Sequence, residues 1–275
     1  MEIWQSLFNG KDLTGWTLKV AGEPLGTNYK NTIRVEDSLL RISYDDYENF
    51  DEKYGHLYYE QPYSHYKLRF DYRFVGEQTP GGATWNVRNS GIMLHSQSAA
   101  EQEYGQHFPV SIEIQLLGGL GEDKGERTTA NLCTPGTAVV MGDTVNYQHC
   151  INSSSKTYHG DQWISVEAVV LGDQLVAHLI EGDTVLAYQQ PQIGGGFIYA
   201  QQTKEDWQSF GIDSMEHWIQ RDGELLSEGY IALQAESHPI DFKNIELLNL
   251  KGCMDKKAKN YKSYYVEADN SQCSY

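Results

Sequence analysis

The chain has 275 residues, enough to bury a sizeable core in one large domain, or in one domain with a small appendage. Its 38 acidic against 21 basic residues give a formal charge of −17, which repels nucleic acid and anionic membranes and leaves a neutral ligand such as a sugar unaffected. Aromatics at 12% and 26 Gly favour a β-rich protein with frequent turns, and no apolar run nears the ~20 residues of a membrane-spanning helix.

The opening MEIWQSLFNG has no basic segment followed by an apolar core and does not read as a signal peptide. YKLRFDYRFV puts Leu68, Phe70, Tyr72 and Phe74 on one face and Lys67, Arg69, Asp71 and Arg73 on the other, the alternation of a half-buried strand. WNVRNSGIMLHSQ, residues 85–97, is predicted to carry Asn89, Gly91, Met93 and His95 on one strand face; an edge strand with a surface histidine is the alternative. In SIEIQLLGG, residues 111–119, Ser111, Glu113 and Gln115 alternate with Ile112, Ile114 and Leu116. One face is apolar, and the other offers a hydroxyl, a carboxylate and an amide.

Residues 163–190 predict three antiparallel strands broken at Gly172-Asp173 and Gly182-Asp183. The stretch from Gly194 to Gly229 is long for a loop, so it is functional or carries its own short helix. Two further strands are predicted around the turn of LQAESHPID, where Gln234, Glu236 and His238 recur at a period of two. Pro239 biases His238 to an extended backbone. A carboxylate two residues from an imidazole can orient it or raise its pKa; a solvated turn is the alternative. From Lys251 onward aliphatic residues almost vanish, so this tail builds no core of its own. Cys133, Cys150, Cys253 and Cys273 form two sequence-local pairs without CxxC spacing. They predict bridges Cys133–Cys150 and Cys253–Cys273 in an exported protein, with four reduced cysteines of a cytosolic protein as the alternative.

Many short strands with regular turns predict an all-β sandwich. One face of each sheet packs on the core and the other is free. If a free face curves, Glu113, Gln115, His95, Glu236 and His238 converge on one concave surface. Trp85, Tyr104, Trp207 and Trp218 are available to stack on a sugar ring there. The chain has no GxSxG elbow and no HExxH helix, and GGLGEDKGE lacks the helix and GK[ST] of a phosphate loop.

LFNGKDLTGW (7–16), NSGIML (89–94), VSIEIQLLGG (110–119) and GYIALQAESHPIDFKNIELL (229–248) together resemble the 3-keto-disaccharide hydrolase family, in the family's order. His95 stands where many relatives have Arg, and Lys243 replaces the Arg of FRNI. The resemblance implies a concanavalin A-like jelly roll over residues 1–250, an exported protein, and action on glycosides oxidised to a ketone at C3. The tail, 251–275, resembles short thrombospondin type 3-like modules.

A ketone at C3 acidifies the C2 hydrogen and places the glycosidic oxygen for β-elimination, after which water adds across the double bond. Such a route needs a base, electrophilic help for the enolate, and an acid for the departing oxygen. His238 or Glu113 is the expected base, with His95 and Gln115 positioning or polarising the ketone. Glu236 would orient His238 or bind hydroxyls, and Arg88, Asn89, Trp85 and Tyr104 would hold the sugar. No cofactor is specified; a divalent metal on Glu113 with His95 or His238 is a candidate, although no spacing marks a dedicated site. An ordinary glycosidase using Glu113 and Glu236, or a non-catalytic carbohydrate-binding module, are the alternatives.

Overall fold

The computed structural model describes residues 2–198 and 202–275. Strand alternation decides its architecture. In the strand His65–Phe74, Tyr66, Leu68, Phe70, Tyr72 and Phe74 are buried, and the charged residues between them face outward. Each such side chain removed from water contributes about 1.5–3 kcal/mol, so the register of this strand is strongly set.

His65–Phe74 lies in a sheet of ten strands. The path runs Thr144–Asn146, Thr137–Met141, Asp183–Ile193, Leu175–Ile180, Ile164–Leu171, His65–Phe74, Ile240–Asn249, Leu39–Ile42 and Ile33–Glu36, with Gln5–Ser6 pairing Ile240–Asn249. The predicted three-strand meander is its middle portion. Opposite it packs a sheet of seven strands, in the order Cys150–Ile151, Asn131–Cys133, Ile112–Leu117, Asn89–Ser96, Tyr230–Ala235, Gly55–Tyr59 and Trp16–Val20. Ile92, Ile112, Ile114, Leu116, Ile231 and Leu233 of this second sheet meet Leu68, Phe70, Tyr72 and Phe74 in one continuous core. The chain is therefore an antiparallel jelly-roll sandwich, and both predicted disulfides are formed.

The long segment after Gly194 carries two five-residue helices, Lys204–Gln208 and Met215–Ile219. Thr203 caps the first by accepting from Asp206 N. Trp207 and Trp218, offered by the sequence as stacking residues, are instead buried anchors of these helices. Trp207 packs edge-on against Phe197, with ring centroids 5.1 Å apart. Beyond Leu250 the tail is closed by Cys253–Cys273 and tied to the sandwich by Leu250 N donating to His65 O. No described helix is long and apolar enough to cross a membrane.

Candidate active site

The polar face of Ile112–Leu117 is not plain solvent surface. It forms the floor of a cleft of about 720 Å³ on the outer side of the seven-stranded sheet. Volumes of 300–1,000 Å³ suit a small-molecule ligand. Glu113 and Gln115 rise from this strand, Asn89 from the neighbouring one, and Glu236 from the end of Tyr230–Ala235. Ladder register sets Cys133 opposite Glu113 and Asn131 opposite Gln115, and Asn131 Nδ2 donates to Gln115 Oε1 at 3.2 Å. Thus the Cys133–Cys150 bridge forms one wall, with His149 beside it.

Gly91 explains how two glutamates on non-adjacent strands come together. It occupies the strand between them, and a Cβ at this position would collide with Glu113 Oε1. Glu113 leans into the space that glycine leaves, toward Glu236. Gly91→Ala should displace the Glu113 carboxylate and lower kcat by about 10², as misplacement by about 1 Å does. Melting temperature and kcat on the same preparation check this; full activity in the variant would show that the leaning position is not needed.

Both carboxyls are pushed well above the ordinary range. For Glu113 the cause is burial; for Glu236 it is burial first and then the field of Glu113, opposed by Arg127. Burial disfavours the charged form of each, and the field of one on the other disfavours ionising both, so the pair is held toward its protonated forms near neutrality. Glu236 Oε2 is buried without a hydrogen-bond partner among the described residues, as are Asn89 Oδ1 and His149 Nδ1. Buried polar atoms are almost always satisfied, so three such atoms around one cleft mark positions for ligand or water. Burial lowers His149 to about 4, so it lines the cleft as a neutral imidazole.

Arg127 supplies the positive charge, and no local pattern in GERTTAN announced it. Its Nη1 donates to the carbonyls of Val87, Arg88 and Gly118 at 2.6, 3.1 and 2.7 Å. Nη2 reaches Trp85 O at 3.4 Å. Backbone carbonyls fix the guanidinium without neutralising it, and Glu236 is the acidic side chain whose field acts on it. The rim is aromatic. Trp85, 52% exposed, stacks parallel to Tyr54, and Phe108 packs against both and continues the aromatic row to Phe210. His149 had a readable signal, because the expected Cys133–Cys150 bridge puts Cys150's neighbour beside the strand of Glu113.

Four sequence candidates lie elsewhere. The Asn89, Gly91, Met93, His95 face is interrupted by a β-bulge, with His95 at φ 47° and the register shifting between Tyr230 and Ala232. The imidazole turns from the cleft, and its Nε2 contacts Gly172 O at 3.0 Å in the turn between Ile164–Leu171 and Leu175–Ile180. Ser237, at φ 77°, breaks the Gln234, Glu236, His238 alternation in the same way. His238 consequently enters a separate pocket, edge-on to Phe74 at 5.6 Å. Arg88 points to that pocket too, where it pairs Asp161. Tyr104 is 66% exposed and meets Lys19, outside the cleft lining. The proposed metal ligands Glu113, His95 and His238 therefore do not converge, and among the described residues no three His, Cys, Asp or Glu side chains are grouped to hold an ion.

A family model described as a 3-keto-alpha-glucoside-1,2-lyase-like domain matches residues 3–248, which leaves the tail outside the match. Two solved structures of Parabacteroides distasonis ATCC 8503 proteins, provisionally described as glycosyl hydrolases, share the fold. The first is 20% identical with a TM-score of 0.51, over 90% of this chain and 94% of the other. The second is 15% identical with a TM-score of 0.53, over 90% of this chain and 100% of the other. No curated protein matches the chain by sequence.

Proposed function

Because the chain belongs to the family of 3-keto-alpha-glucoside-1,2-lyase-like domains, we propose that it cleaves 3-keto-glycosides in this cleft by C2 proton abstraction, elimination and hydration. The observation that carries this reading is a pair of buried carboxyls in one cleft, both held toward their protonated forms, beside a guanidinium fixed by backbone carbonyls. One partner of such a pair is a base while the other is an acid. Glu236, which also bears the field of Glu113, keeps the proton, so Glu113 takes the C2 hydrogen. The C2 electron pair forms the C1–C2 double bond as the C1–O bond breaks, and Glu236 protonates the departing oxygen. Water then adds across the double bond, its hydroxyl to C1 and its proton to C2, and the proton held by Glu113 passes to Glu236, which restores the pair.

Arg127 meets the negative charge that grows on the C3 oxygen during proton abstraction. Asn89, Gln115 and His149 are left to bind sugar hydroxyls, and Trp85 offers a flat face for the ring. Two disulfides suit an oxidising compartment, which supports export.

Glu113 and Glu236 both lying in the cleft also keeps the ordinary glycosidase reading in view. Matched methyl glucosides and methyl 3-keto-glucosides separate the readings. Turnover of the keto substrate alone is the expected result. Turnover of the plain glucoside would replace the elimination by hydrolysis through opposed carboxylates, and binding without turnover would make the domain a lectin-like module.

A further inference from the structure

Behind the cleft lies a second pocket of about 380 Å³, lined by Arg88, His159, His238, Glu77, Glu122 and the glycines around Leu120. One wall separates it from the cleft, made of Val87, Arg88 and the 118–121 segment. Arg127 fastens this wall from the cleft side by donating to the carbonyls of Val87, Arg88 and Gly118. Leu120, 47% exposed, lines both spaces at their common rim.

The interior of the second pocket is polar and unsatisfied. His238 is 2% exposed, and neither ring nitrogen has a partner among the described residues. His159 Nδ1 and Arg88 Nε are also buried without partners. A buried histidine with both nitrogens open is costly unless something else satisfies it. Burial, then Arg88, lowers His238 to about 4, so it is neutral at physiological pH. A neutral imidazole offers one donor and one acceptor, the complement of a hydroxyl group, which both gives and takes a hydrogen bond. Glu77, Glu122 and Asp161 around the mouth disfavour an anionic occupant.

We infer that this second pocket is the leaving-group subsite, built for a hydroxyl-rich sugar released over the Leu120 rim, with His238 as its principal contact. The inference rests on the elimination reading for its orientation. C1 and C3 flank C2, so the ring edge that presents the ketone to Arg127 presents the glycosidic oxygen to the same wall. His238 is then a specificity residue for the departing sugar and takes no part in bond breaking.

The test compares methyl 3-keto-α-glucoside with the 3-keto derivative of an α-1,4-linked glucose disaccharide. His238→Leu should raise KM for the disaccharide about tenfold, the loss of one or two neutral hydrogen bonds, and leave the methyl glycoside within twofold. His238→Gln, which keeps a donor and an acceptor, should recover most of the difference. Equal losses on both substrates, or no loss on either, would overturn the assignment. Titration of the wild type with free glucose, read on the histidine ring protons by NMR, is independent of turnover. Shifts of the His238 and His159 signals are expected even if no 3-keto substrate is cleaved, which would keep the subsite and remove the elimination. Turnover with those signals unmoved would do the reverse.

Discussion

Glu113→Gln lowers kcat on a 3-keto-glucoside by about 10³, within the 10²–10⁴ that a positioned general base contributes, and leaves the protein folded. Glutamine keeps the shape that Gly91 accommodates but accepts no proton from C2. The stability of the variant carries a second signature. In the unfolded chain both glutamates ionise near about 4.3; in the folded chain burial holds both protonated to higher pH. Above the unfolded value the folded state therefore binds more protons, and stability is lost as pH rises through the raised folded values. Urea denaturation at pH 5 and pH 8 should show this loss in the wild type and a smaller one in Glu113→Gln. Activity should follow a bell displaced upward from ordinary carboxylates, because the cycle needs one ionised and one protonated partner. A variant with wild-type kcat would remove Glu113 from the chemistry.

Arg127→Ala should lower kcat/KM by about 10²–10³, the scale of losing a preorganised charge at a developing oxyanion. It should also destabilise the wall, since the carbonyls of Val87, Arg88 and Gly118 lose their shared donor. Rescue separates the two effects. Guanidinium at low millimolar concentration should restore part of kcat without restoring the melting temperature, because it refills the charge but not the tether. Arg127→Lys should retain more kcat than Arg127→Ala. Loss of stability with unchanged kcat would make Arg127 purely structural.

Much of the architecture was legible because a period of two is an unambiguous signal when one strand face is apolar. Glu113, Gln115 and Glu236 followed from the same count, and all three line the cleft. The count failed at two places where a non-glycine residue takes positive φ, His95 and Ser237, since nothing in the residue types there forces the kink. Each kink turned one histidine away from the face predicted for it. Arg127 was unreadable for another reason. It sits between strands, where no period applies, and its position is fixed by carbonyls far apart in the sequence. Trp207 and Trp218 went to the core because the segment after Gly194 needs anchors for its two short helices.

The most direct measurement is turnover of methyl 3-keto-α-glucoside in D₂O, with the released sugar read by NMR against an enzyme-free control. Elimination followed by hydration puts deuterium on C2 of every product molecule and none on C4. A product that keeps its C2 hydrogen while the glycosidic bond is cut would contradict proton abstraction at C2, and with it the role given to the Glu113–Glu236 pair.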